Sequence, residues 1–228
     1  MKSASRRISS LLCTVLVGFL LLAPASARPA ASPAVQAGSG GAVLTGQALP
    51  PGLIRVPLAR QAQNYTCGVA ALQSILGYHR EDIRQDVLAK KLKADPQEGT
   101  HYRQIEKYAR KDGYTVADYQ EMTLADLEGL LDAGNPVICL IQAWAKSGTN
   151  YATDWKDGHY VVAVGYDSAN VYFMDPSTLG DFTYIPVDQF LARWHDKDTT
   201  SGKKLVHFGI CLQKPGPLFD PDEVPPLG

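Results

Sequence analysis

The sequence predicts an α+β fold, a helical half followed by an antiparallel sheet. Two observations carry this. Residues 67–134 hold apolar side chains at helical spacing, whereas residues 137–213 hold short apolar runs broken by turn residues. The segment between the two low-complexity ends, residues 55–213, is long enough for one domain with a sizeable core.

The chain opens with Lys2, Arg6 and Arg7, then an apolar run from Leu11 to Leu22, then Ala25-Ser26-Ala27. That order predicts a signal peptide over residues 1–27, cut near Ala27, and hence an exported (periplasmic or extracellular) protein. An uncleaved anchor is the weaker reading, because the run is short and no polar stop-transfer flank follows. Cys13 follows a leucine rather than a small residue and does not look like a lipidation site. Removing this segment takes away three basic residues and no acidic ones, so the net charge of −1 becomes −4. A mildly acidic chain without a basic stripe argues against nucleic acid and against anionic lipid as partners. No second apolar run approaches membrane length, so no stable membrane association is expected. Residues 28–54, rich in Ala, Gly, Pro and Ser, read as a flexible leader, and the proline-rich residues 214–228 as an extended tail.

Within the domain, Val69, Leu72, Ile75 and Leu76 share one helical face, so a first helix starts at Cys67 and ends near Gly77. Ile83/Val87 and Leu88/Leu92 are i, i+4 pairs of a second helix. Thr100 is the expected cap of a third, with Tyr102, Ile105 and Ala109 inward and Gly113 closing it. Thr123 and Asp126 form a capping box for a fourth, which Gly134 and Pro136 end. Strands are expected at 137–144, 159–166, 171–175, 182–186 and 205–213, with a short helix at 188–194.

Four cysteines are present, three of them beyond the signal peptide. Cys139 and Cys211 lie in strand-like apolar runs, where they either pair or pack as free thiols. Cys67 differs, because it stands at the mouth of a helix behind the polar stretch Arg60-Gln61-Ala62-Gln63-Asn64-Tyr65-Thr66. A thiol attacks a carbonyl as thiolate, and a helix N-terminus together with a histidinium lowers its pKa. Of the five histidines, His79, His101, His195 and His207 read as surface or core residues. His159 opens an unbroken apolar strand directly after the polar loop 145–158, where a base facing a cleft would sit. Asp175, before Pro176 at the end of the next strand, is the candidate that orients it. For both side chains to share a face, the hairpin between them needs an odd loop (Asp167-Ser168-Ala169) or a bulge, which sets Asp175 opposite Val161. Asp157 is the reserve acid. Gln61, Gln63 and Asn64 offer side-chain amides for a developing oxyanion, beside the Cys67 N–H.

Gln61-Ala62-Gln63-Asn64-Tyr65-Thr66-Cys67-Gly68, with Asp157-Gly158-His159-Tyr160 and Met174-Asp175-Pro176, resembles the papain-like cysteine peptidases of the bacteriocin-processing, double-glycine leader peptidase family. The resemblance covers roughly residues 56–180. It implies a papain-like fold with Cys67 as nucleophile, His159 as base, Asp175 as orienting acid and Gln61 as oxyanion donor. It also implies a peptide or protein substrate and no cofactor. Typical members are cytoplasmic domains fused to an exporting ABC transporter. This chain has neither a transmembrane bundle nor a G-x-x-x-x-G-K-[ST] phosphate loop. The reading is therefore a stand-alone exported peptidase or amidase acting through a Cys67 acyl-enzyme.

Two alternatives keep the fold: a transpeptidase or transamidase using the same nucleophile, and a catalytically silent relative that binds peptides. A metal hydrolase is disfavoured, since H-E-x-x-H and close Cys/His pairs are lacking. Asn64-Tyr65-Thr66 is formally a glycosylation sequon, and a glycan there would obstruct the cleft, which favours bacterial export. The loop 145–158 and its aromatic neighbours Trp144, Tyr151, Trp155 and Tyr160 form either a substrate lid or a plain exposed loop.

Overall fold

The computed structural model describes residues 49–178 and 181–224. The expected signal peptide lies outside the described residues, as does most of the leader. Among the described residues no helix is long and apolar enough to cross a membrane.

The helices come in the expected places: α1 (Cys67–Tyr78), α2 (Gln85–Leu92), α3 (Tyr102–Lys111) and, after a short strand β1 (Thr115–Tyr119), α4 (Leu124–Asp132). The remaining elements are β2 (Val137–Gln142), β3 (Gly158–Tyr166), β4 (Asn170–Met174), β5 (Phe182–Pro186), α5 (Val187–Arg193), β6 (His195–Lys197), β7 (Lys204–Val206) and β8 (Gly209–Gln213). The capping box of α4 forms as the sequence predicts, with the Thr123 hydroxyl accepting from Asp126 N and the Asp126 carboxylate from Thr123 N. Helix α3 is capped differently from the expectation. His101 is its N-cap, its Nδ1 accepting from Arg103 N at 3.1 Å, while the Thr100 carbonyl accepts from Tyr160 OH at 2.9 Å.

Six strands form one antiparallel sheet in the order β1-β8-β2-β3-β4-β5. Strand alternation divides its apolar side chains between two faces. Ile138, Leu140, Val162, Val164 and Met174 pack with Leu72, Ile75 and Leu76 of α1, Leu88 of α2 and Ile105 of α3. Cys139, Ile141, Val161, Ala163 and Phe173 pack on the other face with Leu127 and Leu131 of α4 and Phe190 of α5. The sheet is thus covered on both sides rather than faced by a single helical half. The continuous apolar runs of β2 and β3 follow from that burial.

Two expected strands are drawn differently. The run 205–213 is divided at His207, whose φ of 46° turns the chain. Its N–H donates to Trp194 O and its Nδ1 to Met122 O, so β7 pairs with β6 and β8 joins the main sheet. Strand β1 was not foreseen, because only Val116 of its five residues is buried and its pattern is that of an exposed edge.

Leu53 and Ile54, at the end of the expected leader, dock on the core, with Ile54 N donating to Val164 O at 2.8 Å. The tail lies against the C-terminal end of α1, where Phe219 N donates to Tyr78 O and Arg80 Nε to Leu218 O.

Candidate active site

The first turn of α1 is left open by its own cap. Thr66 is the N-cap, but its hydroxyl turns back onto Gln63, donating to Gln63 O and accepting from Gln63 N, and makes no cap bond. The first N–H groups of the helix therefore lack the usual side-chain acceptor. Cys67 occupies the first helical position, half-buried, with the Gly68 N–H turned to its sulfur. Gly68 is held to glycine by space. A Cβ there would lie 2.8 Å from Thr100 Cβ and 3.0 Å from the Tyr160 ring.

His159 and Asp175 reach the same place from the sheet. The β3–β4 turn itself is a tight two-residue loop, with Asp167 N donating to Asn170 O across Ser168-Ala169. A bulge at Val164 then shifts the register, so that Val162 pairs with Met174 and Asp175 falls opposite Val161. The bulge, one of the two solutions the sequence allowed, puts His159 and Asp175 diagonally on one face. His159 Nε2 and Asp175 Oδ1 are 2.8 Å apart and both residues are buried. That bond leaves His159 Nδ1 without a partner among the described residues, and the imidazole is near enough to the Cys67 thiol to draw its pKa down. Because β4 ends at Met174, Tyr160 has no strand partner on that side, and its N–H, like that of Gly68, favours the charged form of the Cys67 sulfur.

The electrostatics follow from these contacts. Burial pushes the Cys67 thiol up, but the His159 hydrogen bond and charge, with the Tyr160 and Gly68 N–H groups, outweigh it and leave the thiol below its ordinary value. Burial pulls His159 down, yet its bonds to Asp175 and Cys67 raise it to about 9. Burial likewise pushes the Asp175 carboxyl up, and His159, Ser177 N–H and the Thr178 hydroxyl hold it below the usual range. A thiol drawn down beside an imidazole drawn up is the pattern that favours a thiolate–imidazolium pair. Cys139 and Cys211 are both free and buried, and burial alone pushes their thiols up, Cys211 to about 11.

Gln61 is fastened to the acid's own turn. Its backbone N–H donates to Pro176 O at 3.0 Å, its Oε1 accepts from Ser177 Oγ at 2.8 Å, and its Nε2 donates to Gln63 O at 2.8 Å. Asp157 is not the partner of His159; its backbone N–H instead donates to Gln142 Oε1. Three residues escaped the sequence reading. Gln85, at the start of α2, ties down the loop before Cys67, accepting from Ala62 N and donating to Arg60 O. Nothing in the local pattern marks it. Ser177 and Thr178 clasp Asp175, and the Asp-Pro-Ser-Thr run, a turn sequence, was a signal for them.

Two cavities reach the site, one bordered by Cys67 and the other by His159 and Asp175. One of about 530 Å³ reaches Cys67 and is bordered by Asn64, Thr100, Tyr160 and Asp196. The other, about 310 Å³, reaches His159 and Asp175 and is bordered by Trp144, Tyr184 and Arg193. The loop 145–158 borders both, Trp155 and Lys156 the first and Ala145 and Tyr151 the second, and is pinned rather than free at its far end. His195 Nε2 donates to Asp154 O at 2.8 Å, and the Trp155 ring lies 4.3 Å from that of His195. Trp144, with a positive φ of 64°, stands 64% exposed with its ring edge-on to His159 at 6.4 Å.

Comparison with known proteins agrees with this architecture. The structure resembles a putative C39-like peptidase from Bacillus anthracis, with a TM-score of 0.54 and 19% identity over 72% of this chain and 98% of that one. It also resembles the peptidase domain of Streptococcus ComA, a bifunctional ABC transporter involved in quorum sensing, with a TM-score of 0.51 and 21% identity over 68% of this chain and 96% of that one. No curated protein matches the chain. The Peptidase_C39 like family matches residues 53–201, well over half the sequence. By its sequence, its mixed helix-and-sheet architecture and its structural neighbours, the chain belongs to the Peptidase_C39 like family.

Proposed function

We propose that the chain is a cysteine peptidase or amidase that hydrolyses a peptide or amide bond through a Cys67 acyl-enzyme. The observation that carries the reading is the buried His159–Asp175 pair, Nε2 and Oδ1 2.8 Å apart, beside a thiol at the start of α1 whose pKa His159 lowers. The thiolate attacks the scissile carbonyl carbon, and the carbonyl π electrons move to oxygen. The Cys67 N–H, which has no acceptor among the described residues, and the second N–H of Gln61 Nε2 are the donors for that oxyanion. His159, protonated near neutral pH, gives its proton to the leaving nitrogen as the carbon–nitrogen bond breaks. A water, deprotonated by His159, then attacks the thioester, releasing the acid and restoring thiolate and imidazolium. Asp175 holds the imidazole by one nitrogen so that the other faces sulfur throughout.

Export after cleavage near Ala27 belongs to the same proposal and is supported by the charge and apolar pattern of residues 1–27. A peptide substrate is supported by family membership. The test is turnover of any peptide that the wild type cleaves, compared with Cys67→Ala and His159→Ala. The proposal expects no turnover from the first and a loss of about 10²–10⁴-fold from the second. An equally active Cys67→Ala protein would refute it.

A further inference from the structure

The two cavities are not equivalent, and the proton transfer says which part of a substrate each receives. His159 must reach the leaving nitrogen, so the leaving segment lies on the side of the cavity that His159 and Asp175 border. The acyl segment, bonded to sulfur, lies in the cavity that Cys67 borders.

The leaving-side cavity contains one cation without an anion. Asp175 is committed to His159, Ser177 N–H and Thr178. Arg193, the last residue of α5, makes no ion pair or side-chain hydrogen bond among the described residues. Its guanidinium carbon lies 4.0 Å from the centre of the Tyr151 ring, which covers one face of the fork and fixes its plane. Its Nε is buried and has no acceptor. Burial draws the guanidinium's pKa down with no carboxylate opposing it. A buried donor left unpaired costs free energy that an incoming acceptor recovers, and an aligned guanidinium fork matches a carboxylate. The surrounding Tyr184, Thr183 and Trp144 supply aromatic walls and two hydroxyls, but no competing anion.

The geometry points to Arg193 as the residue that binds a carboxylate on the leaving side, selecting substrates that carry a negative charge just beyond the scissile bond. This rests on the peptidase reading, which fixes the side from which the leaving nitrogen departs. The carboxylate is either the free C-terminus of a short leaving segment or the side chain of Asp or Glu within a longer one. It binds by charge-assisted hydrogen bonds and forms no covalent bond.

The test is protection of Cys67 from iodoacetamide by leaving-side dipeptides, read by peptide mass on the whole protein at pH 7 and low salt. Ala-Ala is compared with Ala-Ala amide, and Ala-Glu amide with Ala-Gln amide. Arg193 predicts that one or both of the charged peptides half-protect at about tenfold lower concentration than their neutral twins. The first pair reports a C-terminal carboxylate and the second an acidic side chain. In Arg193→Gln the advantage disappears, and in Arg193→Lys, which keeps the charge and loses the fork, it shrinks. Equal protection by charged and neutral peptides overturns the inference in the wild-type protein alone, whatever the variants do. An advantage that persists in Arg193→Gln overturns it too, and assigns the charge effect to His159. Failure of the peptidase reading shows separately, as an unprotected Cys67 that labels with an ordinary thiol pH profile and as absent turnover.

Discussion

At the residue scale, the site rests on one sulfur that three groups share. His159 and the backbone N–H groups of Tyr160 and Gly68 all turn toward Cys67, and each favours the charged form. Activity should therefore follow a bell in pH. It falls on the acid side as the thiolate is protonated below its lowered pKa. It falls on the alkaline side near 9, where His159 loses the proton it must give to the leaving nitrogen. Measuring kcat/KM against pH checks this, and an optimum above 9 would contradict it. Gln61→Ala should lower kcat by about 10²–10³-fold with the fold intact, as expected for an oxyanion donor. If kcat is unchanged, Gln61 serves only to tie the Cys67 loop to Ser177. Cys67, His159 and Asp175 could be singled out in the sequence because each stands at an element boundary that local pattern marks, whereas Gln61 lies in the approach to α1 and only the family resemblance separated it from Gln63 and Asn64. Gln85 was not, because its hydrogen bonds to Arg60 and Ala62 cross more than twenty residues.

At the element scale, the β3–β4 hairpin decides whether there is a site at all. Its turn has two residues, which alone would place Asp175 on the face away from His159. The bulge at Val164 corrects this, and its extra carbonyl is satisfied by Ile54 N. Gly165 completes the arrangement, since a Cβ there would lie 2.2 Å from Leu53 Cδ2. Gly165→Ala should therefore make the Leu53 side chain turn aside and cost about 1 kcal/mol in urea unfolding. If the account of the bulge is right, His159–Asp175 alignment suffers with it, and turnover falls more than stability alone explains. A neutral Gly165→Ala would contradict that account. Helices α1 to α4 were legible from periodicity and the Thr123 capping box. The break at His207 was not, because the apolar run 205–213 shows no Gly or Pro where the chain turns. Only tertiary bonds from Trp194 and Met122 impose it.

At the scale of the whole molecule, the site is assembled where two layers meet. Cys67 comes from the helices on one face of the sheet, and His159 and Asp175 come from the sheet itself, beyond the last residue of β4. The α+β order was legible, but the covering of the sheet's second face by α4 and α5 was not. An amphipathic helix announces its buried stripe without saying which face of a sheet it covers. Gln142 links the layers at the cleft, its Nε2 donating to His195 O and Asp196 Oδ1 and its Oε1 accepting from Asp157 N. Gln142→Leu removes all three bonds while keeping bulk. It should loosen the loop 145–158 against the β6–β7 hairpin, leaving the His195–Asp154 bond as its remaining tie, and raise KM more than it lowers kcat. Faster proteolysis within 145–158 would accompany that change, and unaltered proteolysis with unaltered KM would refute the link.

The central claim is that Cys67 is an activated thiolate held by His159, and alkylation tests it without a known substrate. The rate of iodoacetamide labelling of Cys67 is measured by peptide mass from about pH 4 to pH 10, in the wild type and in His159→Ala. The account predicts fast labelling that persists well below pH 7 in the wild type and retreats toward an ordinary thiol pKa of about 8.5 in the variant. Labelling that rises only near about 8.5 in both proteins would show an unactivated thiol and contradict the account.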